Sequence, residues 1–224
     1  MNKNENKRAI VLLSGGIDSA VLAYWVKKEG YDVELMFIDY GQDNARSELF
    51  ASRRTSRALK VPIEVVSIPG LKNQFLGFTG PEYRMISIRH DLNCWDLALG
   101  LGIATEFAIV AEYQKLFVGN IQNDLKWRPR LKEYIQSAED SINILYDGYR
   151  GQEGPLLKIE APFLNKSKKE VIQIGDQLGI NFANTWSCQA QSIKPCGKCL
   201  GCQERNQAFK EANVIDNINE LYNI

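Results

Sequence analysis

The chain has 224 residues, 45% of them hydrophobic and 24% charged, a balance suited to one substantial core and not to disorder. Lys and Arg total 27 and Asp and Glu total 27, so the formal net charge is zero, which argues against a protein whose main work is gripping bare nucleic acid through a basic surface. No run approaches the ~18 apolar residues of a membrane span, and the opening MNKNENKRAIVLLSGG has too short an apolar stretch for a signal peptide, so a cytoplasmic address with no membrane partner is expected.

In chain order, residues 9–13 are a continuous apolar run, as in a strand buried on both faces of a parallel sheet. A helix follows over residues 18–29, with Val21, Leu22, Trp25 and Val26 on one stripe and Gly30 at its end. A strand at 33–38 leads to the turn Asp39-Tyr40-Gly41-Gln42, then a helix over 44–59 and a strand opened by Pro62 and running to Ile68. This alternation predicts an α/β fold with a doubly wound, mostly parallel, Rossmann-like sheet.

Residues 69–83 read as a mobile loop rich in glycine and proline. A helix is expected over 92–113, weakened at its centre by Gly100 and Gly102, then a strand at 116–119 and a helix over 129–146. A fifth strand at 156–159 and helices over 167–178 and 200–212 complete the pattern. The tail, 213–224, sets Val214, Ile215, Ile218, Leu221 and Tyr222 at helical spacing. It is expected to pack on its own domain, with self-association into a homodimer as the alternative. The domain reading is residues 1–180 as the main unit and 181–224 as a cysteine-bearing segment with terminal helices, packed on that unit.

Two motifs carry chemistry. In Ser14-Gly15-Gly16-Ile17-Asp18-Ser19, between a buried strand and a helix, two glycines let backbone N–H groups converge on an anion. The helix start adds unpaired N–H donors and a partial positive charge. Ser14 and Ser19 supply hydroxyl donors for phosphate, and Asp18 can coordinate the Mg2+ that accompanies a triphosphate such as ATP. The loop lacks the Gly-Lys-Ser/Thr ending of the Walker type. An ordinary strand-to-helix turn capped by Asp18 and Ser19 is the plainer alternative.

The second motif, Cys188-x7-Cys196-x2-Cys199-x2-Cys202, gathers four of the five cysteines. In a reducing compartment such crowding points to metal, and four thiolates suit a tetrahedral, structural Zn2+. An iron–sulfur cluster or two disulfides are the competing readings, disfavoured because nothing else suggests redox chemistry. Cys94 stands apart as an expected core residue.

With both motifs placed, the chain resembles the 7-cyano-7-deazaguanine synthase (QueC) family, within the PP-loop ATP pyrophosphatases. Residues 14–19 match the SGGxDS loop, Asp39-Tyr40-Gly41-Gln42 the DYGQ turn, and Glu48 a family glutamate. Lys168 aligns with a family lysine before a late helix. Thr185-Trp186-Ser187-Cys188, Lys194-Pro195-Cys196-Gly197-Lys198-Cys199, Cys202 and Arg205 reproduce the zinc segment. The resemblance implies that ATP is cleaved to AMP and pyrophosphate, with Asp18, Asp39 and Lys168 catalytic. It also implies that Ser14, Gly15, Gly16, Ser19, Tyr40, Gln42, Arg89 and Gly119 bind the nucleotide. The substrates it implies are a 7-carboxy-7-deazaguanine-type heterocyclic carboxylate and ammonia, giving a nitrile or an amide for queuosine biosynthesis.

The chain departs from the family where the Arg-Asn pair becomes Arg89-His90 and where a Tyr-Pro-Asp-Cys stretch becomes Asn123-Asp124-Leu125-Lys126-Trp127-Arg128-Pro129. Trp127 is suited to stack on a flat heterocycle and Asp124 to accept from a guanine-like edge, with a local packing or turn role the equal alternative for each; His90 is expected to be structural, with nucleotide contact or proton transfer as the alternative. The changed segment leaves room for an antiphage-defence relative that attaches the activated base to a protein amine. A tRNA-modifying PP-loop enzyme and a non-catalytic ATP-binding scaffold are the remaining alternatives. The former is disfavoured by the zero net charge and the commitment of four cysteines to metal.

Overall fold

The computed structural model describes residues 7–42, 44–68, 95–151, 154–190 and 192–222. Its strands are β1 (Arg8–Leu12), β2 (Asp32–Asp39), β3 (Ile63–Ser67), β4 (Lys115–Phe117) and β5 (Lys158–Glu160). Its α-helices are α1 (Ile17–Lys28), α2 (Ala45–Leu59), α3 (Trp95–Val110), α4 (Asp124–Trp127), α5 (Leu131–Leu145), α6 (Lys168–Gln177), α7 (Leu200–Ala212) and α8 (Ile218–Tyr222). Among the described residues these strands form one parallel sheet in the order β3-β2-β1-β4-β5, so the fold is the expected α/β class. No helix of the described residues is long and apolar enough to cross a membrane.

β1 shows why its sequence is apolar without alternation. Successive strand residues face opposite sides of a sheet. Ala9, Val11 and, just past the strand, Leu13 enter one apolar cluster with α1, α6 and α7, while Ile10 enters another with α3 and α5. Both faces are covered, so neither set of side chains is polar. Burial of each large apolar side chain contributes roughly 1.5–3 kcal/mol. Residues 208, 209 and 212 of α7 join the α1 cluster, and Phe182 packs edge-on against Phe209.

Several element boundaries differ from expectation for identifiable reasons. The helix expected to reach Tyr113 stops at Val110, because Glu112 adopts φ +62°, outside helical space. It runs unbroken through Gly100 and Gly102, held by buried Leu101, Ala104 and Ala108. The last strand begins at Lys158 and not Leu156, since the Leu156 and Leu157 N–H groups donate to Asn143 Oδ1 at 2.7 and 3.0 Å. Among the described residues of the tail only Ile218–Tyr222 is helical. Ile218 is buried, but Ile215 is 83% exposed, so the spacing there does not mark a continuous packed face. The loop expected over 69–83, the first residues of the helix expected over 92–113 and Cys94 lie outside the described residues.

Candidate active site and metal centre

The strand order reverses between β1 and β4, and a parallel sheet opens a crevice beyond its strand ends at such a point. An open cleft of about 370 Å³ lies there. Ser14, Gly16, Asp18, Ser19, Tyr40, Gln42 and Gly119 line it, so seven residues expected from sequence come together. Its apolar wall is made by Leu12, Leu13, Phe37, Ile38, Leu97 and Val118. Small-molecule sites commonly combine such a wall with a few convergent polar groups.

The loop after β1 is tightly constrained. Gly15 has φ +78°, and a Cβ there would sit 2.4 Å from the Glu48 carbonyl oxygen, so both its backbone conformation and its neighbour demand glycine. Gly16 is the N-cap of α1 with no side-chain capping bond, so the first-turn N–H groups have no capping side chain. Ser19 Oγ accepts from the Ser14 N–H at 3.2 Å, donates to the Gly16 carbonyl at 3.3 Å, and lies 3.1 Å from Ser14 Oγ. Neither Asp18 nor Ser19 caps the helix. Gly119 closes the opposite side: a Cβ there would lie 2.9 Å from Ser19 Cα. The end of β4 therefore approaches the first turn of α1 more closely than any side chain permits.

Lys168, at the first position of α6, reaches Asp18 Oδ2 with Nζ at 2.6 Å. A capping box fixes that helix start: Ser167 Oγ accepts from the Glu170 N–H at 3.3 Å, and Glu170 Oε2 accepts from the Ser167 N–H at 2.8 Å. Ser167 draws the Glu170 carboxyl below its ordinary range. Asp18 Oδ1 is buried and has no hydrogen-bond partner among the described residues.

Asp39, expected among the catalytic groups, is placed differently. Its Oδ1 accepts from the Gly41 N–H at 3.0 Å, closing the turn after β2, and it does not line the cleft. Gln42 completes that turn by accepting from the Tyr40 N–H at 3.0 Å and donating to Glu48 Oε2 at 3.1 Å. The turn thus delivers Tyr40 and Gln42 to the cleft, beside Glu48 of α2.

Asp124 is engaged in a local turn and Trp127 lies at the surface. Asp124 Oδ2 accepts from the Ile121 N–H at 2.9 Å and from Asn120 Nδ2 at 3.1 Å, an arrangement that organises the start of α4. Trp127 is 61% exposed, and neither residue lines the cleft. The residue of this segment that does is Arg128, together with Asn120. Arg128 carried no local signal beyond its place before Pro129. Arg89 and His90 lie outside the described residues.

The four cysteines of the second motif are free thiols whose sulfurs lie within 4.8 Å of one another. Tetrahedral thiolates about 2.3 Å from a zinc ion stand about 3.8 Å apart, so the set is compact enough for one metal. Cys196 Sγ accepts from the Lys198 and Cys199 N–H groups at 3.5 and 3.3 Å, Cys188 Sγ from the Cys196 N–H at 3.3 Å, and Cys199 Sγ from the Gln189 N–H at 3.3 Å. Those backbone donors pull the Cys196 thiol down to about 6, whereas burial pushes Cys202 up to about 12. Arg205, 4% exposed, braces the segment through both oxygens of Asp216 (2.5 and 2.8 Å), Thr185 Oγ1 (2.9 Å) and the Phe182 carbonyl (2.9 Å).

Comparison with known proteins bears on this arrangement. A family model described as "Queuosine biosynthesis protein QueC" matches residues 8–77 and 98–213. The chain is 34% identical over 221 residues to a 7-cyano-7-deazaguanine synthase of Caldicellulosiruptor saccharolyticus, covering 94% of each chain. It is 34% identical over 225 residues to a protein of the same name from Pseudomonas fluorescens, again covering 94% of each. Among solved structures it resembles the U34-tRNA thiolase NcsA of Methanococcus maripaludis with a TM-score of 0.50 and 16% identity, over 96% of this chain and 67% of that one. That likeness concerns the fold alone.

Proposed function

The chain belongs to the QueC family, and on that basis we propose that it is an ATP-dependent ligase that activates the carboxylate of a 7-carboxy-7-deazaguanine-type heterocycle for attack by ammonia. The observation that carries this reading is the constrained loop at residues 14–19, set at the strand-order reversal with its helix start uncapped. A carboxylate is a poor electrophile because displacement at its carbon would expel oxide. If its oxygen attacks the α-phosphorus of ATP, the bond to the β-phosphate breaks and pyrophosphate leaves. The resulting acyl-adenylate then offers AMP as leaving group to nitrogen, and loss of a proton gives the amide. A second adenylation, at the amide oxygen, followed by loss of AMP and a proton, gives the nitrile.

The assigned tasks follow from the geometry. Backbone N–H groups at the start of α1, with the Ser14 and Ser19 hydroxyls, hold the departing diphosphate, where preorganised donors stabilise developing charge. Lys168 orients Asp18 and supplies positive charge beside it. A Mg2+ ion bound with the triphosphate would neutralise phosphate charge, and Asp18, with its unpartnered Oδ1, is the residue suited to hold it. Leu97, Phe37 and Val118 offer an apolar wall to a flat base. Arg128 is the cation that lines the cleft among the described residues and suits the substrate's carboxylate. We assign zinc to the four cysteines, as a structural ion closed to substrate.

The test is product analysis after incubation with Mg2+, ATP, ammonium and 7-carboxy-7-deazaguanine. AMP and pyrophosphate that form only with the acid, together with a mass matching the amide or nitrile, support the reading. ATP turnover indifferent to any small carboxylate would refute it. Activation of the acid with transfer only to an added amine-bearing peptide would redirect the acceptor assignment to a protein amine.

A further inference from the structure

One residue joins the two motifs. Trp186 stands two positions before Cys188, and its backbone N–H donates to the Gly15 carbonyl at 2.8 Å. Its indole Nε1 donates to the Cys188 carbonyl at 2.7 Å. The side chain is 4% exposed and packs with Ala51, Cys188 and Cys202, with Tyr222 edge-on at 6.1 Å. The same residue therefore holds the cysteine cluster by its side chain and the phosphate loop by its backbone.

The geometry gives that double contact a consequence for the loop. In a planar trans peptide, C=O and N–H point in opposite directions. Fixing the Gly15 carbonyl against Trp186 therefore aims the Gly16 N–H the other way, where Ser14 Oγ lies at 3.4 Å and the cleft begins. Gly15 has little freedom to compensate elsewhere, pressed as it is against the Glu48 backbone. Trp186 in turn depends on the cysteines. Cys188, whose carbonyl receives the indole N–H, stands two residues on, and its sulfur lies within 4.8 Å of the other three, so the backbone that meets the indole belongs to the metal-binding cluster itself.

We infer that Trp186 is a positioning residue that couples metal loading of the Cys188–Cys196–Cys199–Cys202 cluster to the anion-binding conformation of the loop at residues 14–19. This rests on the reading of that loop as the pyrophosphate site. The metal then does more than stabilise a C-terminal segment: it sets how well the loop holds phosphate.

The experiment compares loaded wild-type protein, chelator-stripped wild-type protein and Trp186→Phe, with inorganic pyrophosphate and Mg2+ as the probe. Affinity is read by calorimetry and the Gly16 amide by hydrogen exchange. Phenylalanine keeps the backbone donor and an aromatic ring but removes the indole N–H. W186F is expected to retain its metal and its fold, to bind pyrophosphate about five-fold more weakly, as loss of one buried hydrogen bond implies, and to exchange the Gly16 amide faster. The stripped protein, read on the fraction that circular dichroism shows folded, should show the same two changes, and pyrophosphate binding there as tight as in the loaded protein overturns the coupling to metal. A loaded wild-type protein that fails to bind pyrophosphate overturns the loop reading itself. Wild-type binding matched by equally tight binding and unchanged exchange in W186F overturns the coupling alone.

Discussion

Asp18 sets one carboxylate oxygen 2.6 Å from Lys168 Nζ and leaves the other buried, with no hydrogen-bond partner among the described residues. Burying such an oxygen is costly unless a cation or donor meets it during function. Asp18→Asn keeps the shape and removes the charge. It is expected to lower ATP-to-AMP conversion by roughly 10²–10³-fold, with circular dichroism and metal content unchanged; undiminished turnover would remove Asp18 from the reaction. Gly119→Ala places a methyl 2.9 Å from Ser19 Cα, against backbone that cannot move aside. A loss of roughly 1–3 kcal/mol in chemical denaturation is expected, together with weaker ATP binding, and an unchanged unfolding midpoint would contradict the close approach. At this scale the loop was legible because paired glycines and flanking hydroxyls form a local signature. Arg128 was not, since tertiary path alone brings it to the cleft.

Helix starts tie the chemistry to the scaffold. The capping box of α6 holds the turn that presents Lys168, so Ser167→Ala is expected to cost about 1 kcal/mol of stability and to lower turnover at the same time. Full activity in a destabilised variant would separate the cap from Lys168 placement. Cys199 is the N-cap of α7, and serine is among the preferred residues there. Cys199→Ser therefore leaves the helix start intact, and a fall in both metal content and melting temperature isolates the metal's share of folding energy. Retained metal with an unchanged melting temperature would count against a structural ion. Helices α2 and α7 and strands β1 to β3 were readable from apolar patterning, because burial and sequence period agree there. The start of β5 was not, since side-chain amide donors and acceptors of Asn143 replace strand pairing at Leu156 and Leu157. The tail misled because Asn213 takes a left-handed conformation and ends α7, after which spacing no longer reports a single helix face.

For the molecule as a whole, the strand order β3-β2-β1-β4-β5 is what converts a short glycine loop into a site. Sequence alternation implied a parallel sheet, but the neighbour of β1 on its far side depends on a crossover whose destination no local pattern records. Once β4 stands beside β1, the glycine loop, the turn after β2 and Gly119 are gathered around one opening, Lys168 at the start of α6 reaches Asp18 on its lining, and the cysteine segment buttresses the loop from outside. The zero net charge suits a small-molecule enzyme whose positive charge is local, at a helix start, Lys168 and Arg128. The most direct measurement is a crystal structure with ATP and Mg2+. The β- and γ-phosphates are expected against the backbone N–H groups of residues 15–19 with a metal ion at Asp18, whereas a triphosphate bound elsewhere while this loop stays empty would contradict the account.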